Sequence, residues 1–208
     1  MAFNINTFRS NGLQWGGARP TLFDVEITFP TSLNLTGTTE NKIKFLVNAS
    51  QIPPAQLGTV EVNYFGRPIK FSGDRTFPDW SVTVMNDEDF DLRAAFEQWS
   101  NMMNTMVSNV NEGSYKTTAI VNQYAKGGKS DKNGADTTPI RSYKFEGIFP
   151  TNIGPIQLSW DATNRIETFD VNFAYDWWEP LDGNGSLALP QPDGSKALKS
   201  PLNNTTRS

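Results

Sequence analysis

Regular alternation of apolar and polar side chains runs through much of this chain. Within residues 22–29 the side chains alternate from Phe23 onward, with apolar residues at 23, 25, 27 and 29 and polar residues at 24, 26 and 28, which is the period of a strand with one buried face. Residues 167–177 repeat the pattern and form the longest predicted strand. Shorter segments of the same kind predict further strands at 43–49, 59–65, 69–71, 80–84, 116–124, 142–149 and 156–160.

One segment changes to the helical period. The acidic run after Met85 predicts a helix start, with Asn86 or Asp87 as the capping residue and the following acids next to the positive helix end. Its predicted end is at Glu112 and Gly113. An apolar stripe follows at helical spacing: Leu92, Ala95, Phe96, Trp99, Met102, Met103 and Met106. Many strands and one helix favour a mainly β protein, a two-sheet β-sandwich or barrel with one flanking α-helix.

The remaining segments set the domain limits. Residues 1–20 form a Gly- and Asn-rich N-terminal extension without predicted regular structure, and 31–41 form a polar loop. Residues 125–139 are a long Gly/Lys/Asp loop, and 181–208 are a C-terminal extension rich in Gly, Pro, Ser and Asn. The β-sandwich domain is therefore predicted at residues 21–180.

Composition narrows the possible chemistry. The 208 residues include no His and no Cys, which removes His-dependent triads, thiol nucleophiles and His/Cys zinc sites. A net charge of −4 argues against a dedicated nucleic-acid binder, which would carry a basic face. We find neither a secretory signal pattern nor an apolar stretch of about 18 residues, so we expect no export signal and no stable membrane insertion.

Three polar clusters have both a functional and an ordinary interpretation. Asp87, Glu88 and Asp89 could hold Mg²⁺ or Ca²⁺, but capping of the helix explains them more simply. Residues 73–75 (Gly-Asp-Arg) could contact phosphate, although a tight turn whose Arg pairs with a carboxylate is favoured. A third cluster could touch a polyanion or be an ordinary solvated loop: Lys126, Lys129 and Lys132.

Paired carboxylates offer the alternative of an enzyme. Asp170 with Asp176, or Asp24 with Glu26, could serve glycoside hydrolysis in a hydrolase, and a carbohydrate-binding sandwich is a related option. Solvated carboxylates on the polar face of a strand are much more common. We therefore predict no catalytic residue, no metal ligand and no cofactor.

Five landmarks, in order, resemble those of one known family. They cover most of residues 18–178: ARPTLFDVEITFP (18–30), YFGR with GDRTF (64–77), NDEDF followed by AFEQW (86–99), YKFEGIFPTNIGPIQLSW (143–160) and FDVNFAYDWW (169–178). The chain resembles the tail tube proteins of contractile-tailed bacteriophages, which are related to the tube proteins of type VI secretion systems and of phage-derived injection particles.

The resemblance implies a structural subunit and not an enzyme. It implies homohexameric rings that self-assemble into a hollow tube inside the contractile sheath, with a mostly acidic lumen through which DNA passes without specific binding. The other implied partners are the sheath protein, the baseplate with its tube initiator, and the tail terminator. The implied location is the virion, after assembly in the host cytoplasm. A tube initiator at the baseplate and a type VI tube protein stay open as alternatives.

Candidate assembly residues follow from exposed turns and polar strand faces. An Arg beside a tight turn can bridge neighbouring subunits, and Trp is enriched where interfaces are tightest. The interface candidates are Arg67, Asp74, Arg75, Trp177 and Trp178. For the two Trp residues, a core Trp beside a rim Trp is an equal alternative. The lumen-facing candidates are Glu61 and Asn63, on the polar face of a predicted strand.

Overall fold

A computed structural model describes residues 4–11, 17–35, 37–104, 112–124 and 139–182. The strands are β1 (Phe23–Ile27), β2 (Val47–Ser50), β3 (Gln56–Tyr64), β4 (Arg67–Thr76), β5 (Trp80–Met85), β6 (Thr117–Gln123), β7 (Arg141–Ile153), β8 (Thr168–Ala174) and β9 (Trp177–Asp182). The helices are α1 (Ile5–Asn11), α2 (Gly37–Leu46) and α3 (Asp91–Met103). The predicted mainly β class with a flanking helix, α3, is confirmed.

Seven of the described strands form one antiparallel sheet that folds into two layers. Its order is β1-β6-β7-β8-β5-β2, and β9 pairs with β7 beside this path. The first part of β7 pairs with β6 and β9, whereas its last part, from Phe149 to Ile153, pairs with β8. The long strand β7 therefore belongs to both layers of the sandwich.

Gly147 lies where β7 passes from one layer to the other. Its φ of +69° is in the left-handed region that favours glycine. A Cβ at this position would also collide with the carboxylate of Asp176, between β8 and β9. Only glycine satisfies both conditions, so the bend that joins the two layers depends on this residue.

The core fills the space between the sheet and α3. The buried stripe of the helix consists of Leu92, Ala95, Phe96 and Trp99, as predicted. The ring of Phe96 lies 5.9 Å from that of Phe173 on β8, and the Trp99 indole N–H donates to the carbonyl of Tyr115 at 2.9 Å. These contacts hold α3 against β8 and against the segment that precedes β6.

Both predicted limits of α3 are wrong. The helix begins at Asp91 after Phe90, whose backbone is left-handed and whose side chain makes no capping hydrogen bond. It ends at Met103, because Asn104 has an extended backbone; Asn competes with the helix for backbone hydrogen bonds. Met106, at the end of the predicted stripe, lies outside the described residues.

Four other predicted elements also need correction. The loop at 31–41 and the strand at 43–49 give way to α2 and the short β2, because a short apolar run fits a buried helix as well as a strand. Residues 5–11 are helical, although the N-terminal extension was expected to lack regular structure. Residues 156–160 form no strand, since no described strand pairs with them and Leu158 and Trp160 are exposed.

The predicted domain limits stay a prediction. The long strand at 167–177 is divided into β8 and β9 at Tyr175 and Asp176. Strand β9 continues to Asp182, just past the predicted start of the C-terminal extension. Most of that extension (183–208) and most of the long loop (125–138, with Lys126, Lys129 and Lys132) lie outside the described residues.

Candidate assembly surface

Strands β3 and β4 form a hairpin that pairs with no other described strand. A two-residue turn joins them, and Phe65 and Gly66 both have positive φ, +47° and +76°. Positive φ at both central residues defines a type I′ turn, whose twist matches that of the flanking strands. We call this element the β3–β4 hairpin and residues 64–67 its tip.

One face of the β3–β4 hairpin is apolar and uncovered. The register places Val60 opposite Phe71 and Val62 opposite Ile69, so these side chains share a face with Tyr64. The five are between 45% and 63% exposed. A two-stranded hairpin alone is marginally stable in water and needs packing on a further element. The described part of the chain does not supply that covering element.

The opposite face of the hairpin is polar. It carries both predicted lumen-facing residues, Glu61 and Asn63, and the Glu61 carboxylate accepts from Lys70 Nζ at 3.0 Å. Both partners of this ion pair are more than half exposed, so its contribution to stability is small. The hairpin is thus amphipathic across its two faces. That the polar face lines a lumen stays a prediction.

Three of the predicted interface residues lie on β4, and all three are exposed. Arg67 is at the tip, and Asp74 and Arg75 are near the other end of the strand. The prediction of a tight turn at 73–75 is wrong, and so is that of a phosphate-binding turn, because this stretch pairs with β3 next to an irregularity in the register. Gly73 lets β4 approach the backbone of β3 closely at Gly58, and it does not reverse the chain.

Two tryptophans bind the linker between β2 and β3 (residues 51–55), which forms the base of the hairpin. The indole N–H of Trp80 donates to the Gln51 carbonyl at 2.9 Å, and that of Trp178 donates to the Pro54 carbonyl at 3.3 Å. Trp178 also packs edge-on against Tyr143. Trp177 opens β9 opposite Glu146. Trp178 therefore has an internal contact, and the interface role of the two β9 residues stays a prediction.

The acidic run before α3 surrounds a lysine. Nζ of Lys42 on α2 donates to Asp91 at 2.8 Å, Asp89 at 3.1 Å and Asp87 at 3.2 Å. These bonds raise the pKa of Lys42, and the bond to Asp91 has the largest effect. The predicted side-chain cap is wrong, because these acids bind α2 to the start of α3 instead of capping it. Sequence spacing gave no signal for a partner about 45 residues away.

We expect Lys42→Met to lower the melting temperature by a few degrees. The three carboxylates then repel one another without a cation between them, so added salt should narrow the difference from the parent protein. Because its pKa is raised in the folded state, charged Lys42 contributes fully to the stability of the fold through neutral pH. This contribution is lost only as the pH rises above 10.5, the ordinary pKa of lysine. Lys44→Met, which breaks only the pair with Glu26, is the matched control. Equal melting curves for the two variants would contradict the prediction.

The carboxylates proposed for hydrolysis each have a separate partner. Asp170 accepts from Thr83 Oγ1 at 2.6 Å, and Asp176 accepts from Lys116 Nζ at 3.1 Å. Asp24 accepts from the Tyr124 hydroxyl at 2.8 Å; burial, with this bond, raises the pKa of Tyr124 to about 12. Glu26 accepts from Lys44 Nζ at 2.7 Å. Each of the four carboxylates is therefore bound to a different partner elsewhere in the fold.

The described ranges contain neither a metal-binding cluster nor a membrane-spanning helix. No cluster of three or more acidic side chains there is arranged to hold a metal ion. No helix there has the length and apolarity needed to cross a membrane.

These features define a class: a β-sandwich building block with an amphipathic hairpin that its own described residues do not cover. The chain belongs to the phage tail tube protein family, whose sequence model matches residues 18–180. The resemblance in the sequence is thereby confirmed. The family consists of structural tail proteins and not enzymes, so the chain is a virion component, a tail tube protein of a contractile tail.

Individual relatives agree with this assignment. The chain is 38% identical to tail tube protein gp19 of Enterobacteria phage T4 over 165 residues, which covers 78% of this chain and 91% of the relative. Two cryo-EM structures share its fold. The anti-feeding prophage cap has a TM-score of 0.56 at 17% identity, covering 80% of this chain and 91% of the other. The sheath-tube complex of the PVC extracellular contractile injection system has a TM-score of 0.51 at 13% identity, covering 87% of this chain and 99% of the other.

Proposed function

We propose that this protein forms six-fold rings that stack into a hollow tube inside the contractile sheath and conduct DNA into the host. The uncovered apolar face of the β3–β4 hairpin carries the proposal, because a hairpin of this kind is stable only when it packs on something else. A second copy of the chain supplies that covering surface. The 38% identity to a tail tube protein supports a tube subunit over a tube initiator.

The charges of the hairpin suit a conduit for DNA. With its apolar face covered by a neighbour, the polar face with Glu61 and Asn63 is left toward the lumen. The subunit carries a net charge of −4, and an acidic wall repels the phosphate backbone so that DNA slides without binding. The sheath lies around the tube and a terminator closes its end, as in the sheath-tube and cap assemblies whose subunits share this fold.

Negative-stain electron microscopy of the purified protein tests the proposal. We expect rings and tubes with a stain-filled centre, and class averages of end views with six-fold symmetry. Native mass spectrometry of the rings should give the mass of six chains of 23.2 kDa. A protein that stays monomeric at high concentration, or rings of another symmetry, would count against it.

We expect Arg75→Glu to weaken assembly much more than folding. Arg75 is exposed on β4. In the proposed assembly a neighbouring copy packs against this hairpin, and a reversed charge there would be repelled. The sedimenting fraction after ultracentrifugation should fall while the melting temperature stays within about 2 °C, as for most surface substitutions. Arg75→Gln serves as the milder control. Normal tubes from the Glu variant would exclude this role for Arg75.

A further inference from the structure

The β3–β4 hairpin and a partly apolar cavity lie at opposite ends of the same pair of strands. In the β2–β5 pair, Ser50 is opposite Val82 and Val47 is opposite Val84. The chain leaves β2 after Ser50, makes the hairpin and returns into β5 at Trp80. The other end of the pair, at Leu46 and Met85, opens on the cavity. Copies placed in a row along these strands would bring each hairpin toward the next cavity.

The cavity has a volume of about 650 Å³ and a lining of both apolar and charged side chains. Its apolar lining consists of Leu46, Met85, Phe90 and Ile166, of which Phe90 and Ile166 are 47% and 70% exposed. Cavities of about 300–1,000 Å³ accept groups as large as drug-sized molecules. An aromatic side chain with its neighbours therefore fits, and it would cover apolar surface that the subunit leaves open.

The tip of the hairpin presents an aromatic side chain at a conformational cost. Phe65 is 88% exposed, and its ring packs edge-on against Tyr64 at 4.5 Å. The first central position of a type I′ turn favours Asn, Asp or Gly, and a bulky residue at positive φ is strained. In the described part of the subunit this ring stabilises no residue other than Tyr64. The strain at Phe65 therefore points to a contact outside the subunit.

Charge at the two surfaces is complementary. The cavity is lined by Asp87, Glu88 and Glu167 against one cation, Arg165, so acidic side chains outnumber basic ones in its lining. Lys42 already binds Asp87, which leaves the exposed Glu88 as the clearest acceptor. The tip carries Arg67 two residues after Phe65. A basic tip therefore meets an acidic rim.

We propose that Phe65 at the hairpin tip of one copy inserts into the cavity between Met85, Phe90 and Ile166 of another copy, with Arg67 bound at the acidic rim. The contact is heterologous, because the tip and the cavity are different surfaces of the same chain, and such contacts propagate in rows. This inference rests on the proposed function and deepens it, since it names the two surfaces that meet.

Phe65→Asn separates this contact from folding. Asn suits a type I′ turn better than Phe, so the melting temperature should stay the same or rise. Loss of a buried aromatic anchor should raise the critical concentration for tube formation by at least about tenfold. Tubes that form at the parent concentration would overturn the proposal.

A photo-crosslinker then identifies the receiving surface. Phe65 is replaced by p-benzoyl-phenylalanine, which keeps an aromatic ring at the tip, and the assembled protein is irradiated and mapped by mass spectrometry. Crosslinks to Met85, Phe90 or Ile166 of another copy are expected, and they should disappear in dilute monomer. The same crosslinker at Phe71, on the apolar face away from the tip, should map elsewhere.

The outcomes distinguish the two proposals. Tubes whose crosslinks map away from the cavity, or that give no crosslink, would overturn the inference and leave the tube function standing. A parent protein that never assembles would overturn both.

Discussion

A Val62→Asp variant is expected to fold normally and to lose assembly almost completely. Val62 lies in the middle of the apolar face of the β3–β4 hairpin, opposite Ile69, and is 49% exposed in the subunit. In the free subunit the new carboxylate is solvated and costs little. In the tube it would be buried against a neighbour without a partner, at about 4 kcal/mol or more, which is roughly a thousandfold in association.

The next residue provides the matched control. Asn63→Asp introduces the same carboxylate on the same strand, but on the polar face, which the proposed tube leaves toward a solvent-filled lumen. We expect this variant to form tubes, and circular dichroism should show both variants folded. Sedimentation and electron microscopy give the readout. Tubes from Val62→Asp with monomers from Asn63→Asp would mean that the two faces of the hairpin have the opposite roles.

Much of the fold could be predicted because local periodicity reports which face is buried. Val25 and Ile27 of β1, and Phe169, Val171 and Phe173 of β8, are buried as their alternation indicates. The stripe on α3 is confirmed for the same reason. In each case the residue pattern and the buried face belong to the same short segment, so no information from elsewhere in the chain is needed.

Other elements depended on partners distant in the sequence. The run around Ile43 and Leu46 reads equally as strand or helix, and packing of α2 beside β1 decides it. Ile156, Leu158 and Trp160 alternate like a strand but find no strand to pair with among the described residues. An alternating pattern predicts a strand only where a second strand is present to complete its hydrogen bonds.

The assembly surface shows a further limit of sequence reasoning. Val60, Val62 and Tyr64 alternate like any half-buried strand, and the strand predicted there is confirmed as part of β3. The pattern does not indicate whether the surface that covers these side chains comes from the same chain or from another copy. The structure adds two observations: β3 and β4 pair only with each other among the described strands, and Val60, Val62 and Tyr64 are left exposed by the described residues. The same ambiguity applies to Trp178, which proved to hold the hairpin base.

Trp80→Ala is expected to destabilise the subunit by about 3–5 kcal/mol, the usual cost of removing a buried aromatic side chain. Trp80 is almost fully buried, stacks on Phe145 at 4.5 Å and contacts Phe173 at 5.4 Å. Urea denaturation measures the loss. Trp160→Ala, which truncates a fully exposed tryptophan, should change stability by less than about 0.5 kcal/mol.

Trp80→Phe tests whether the same residue also orients the hairpin. Phe keeps the aromatic packing but cannot donate to the Gln51 carbonyl, so the free energy of unfolding should fall by only about 1 kcal/mol. Gln51 is in the linker that leads into β3, and loss of this bond frees the base of the hairpin. Assembly should therefore weaken more than the stability change alone explains. If tubes form at the parent concentration, the hairpin must be oriented by Trp178 and the neighbouring copy instead.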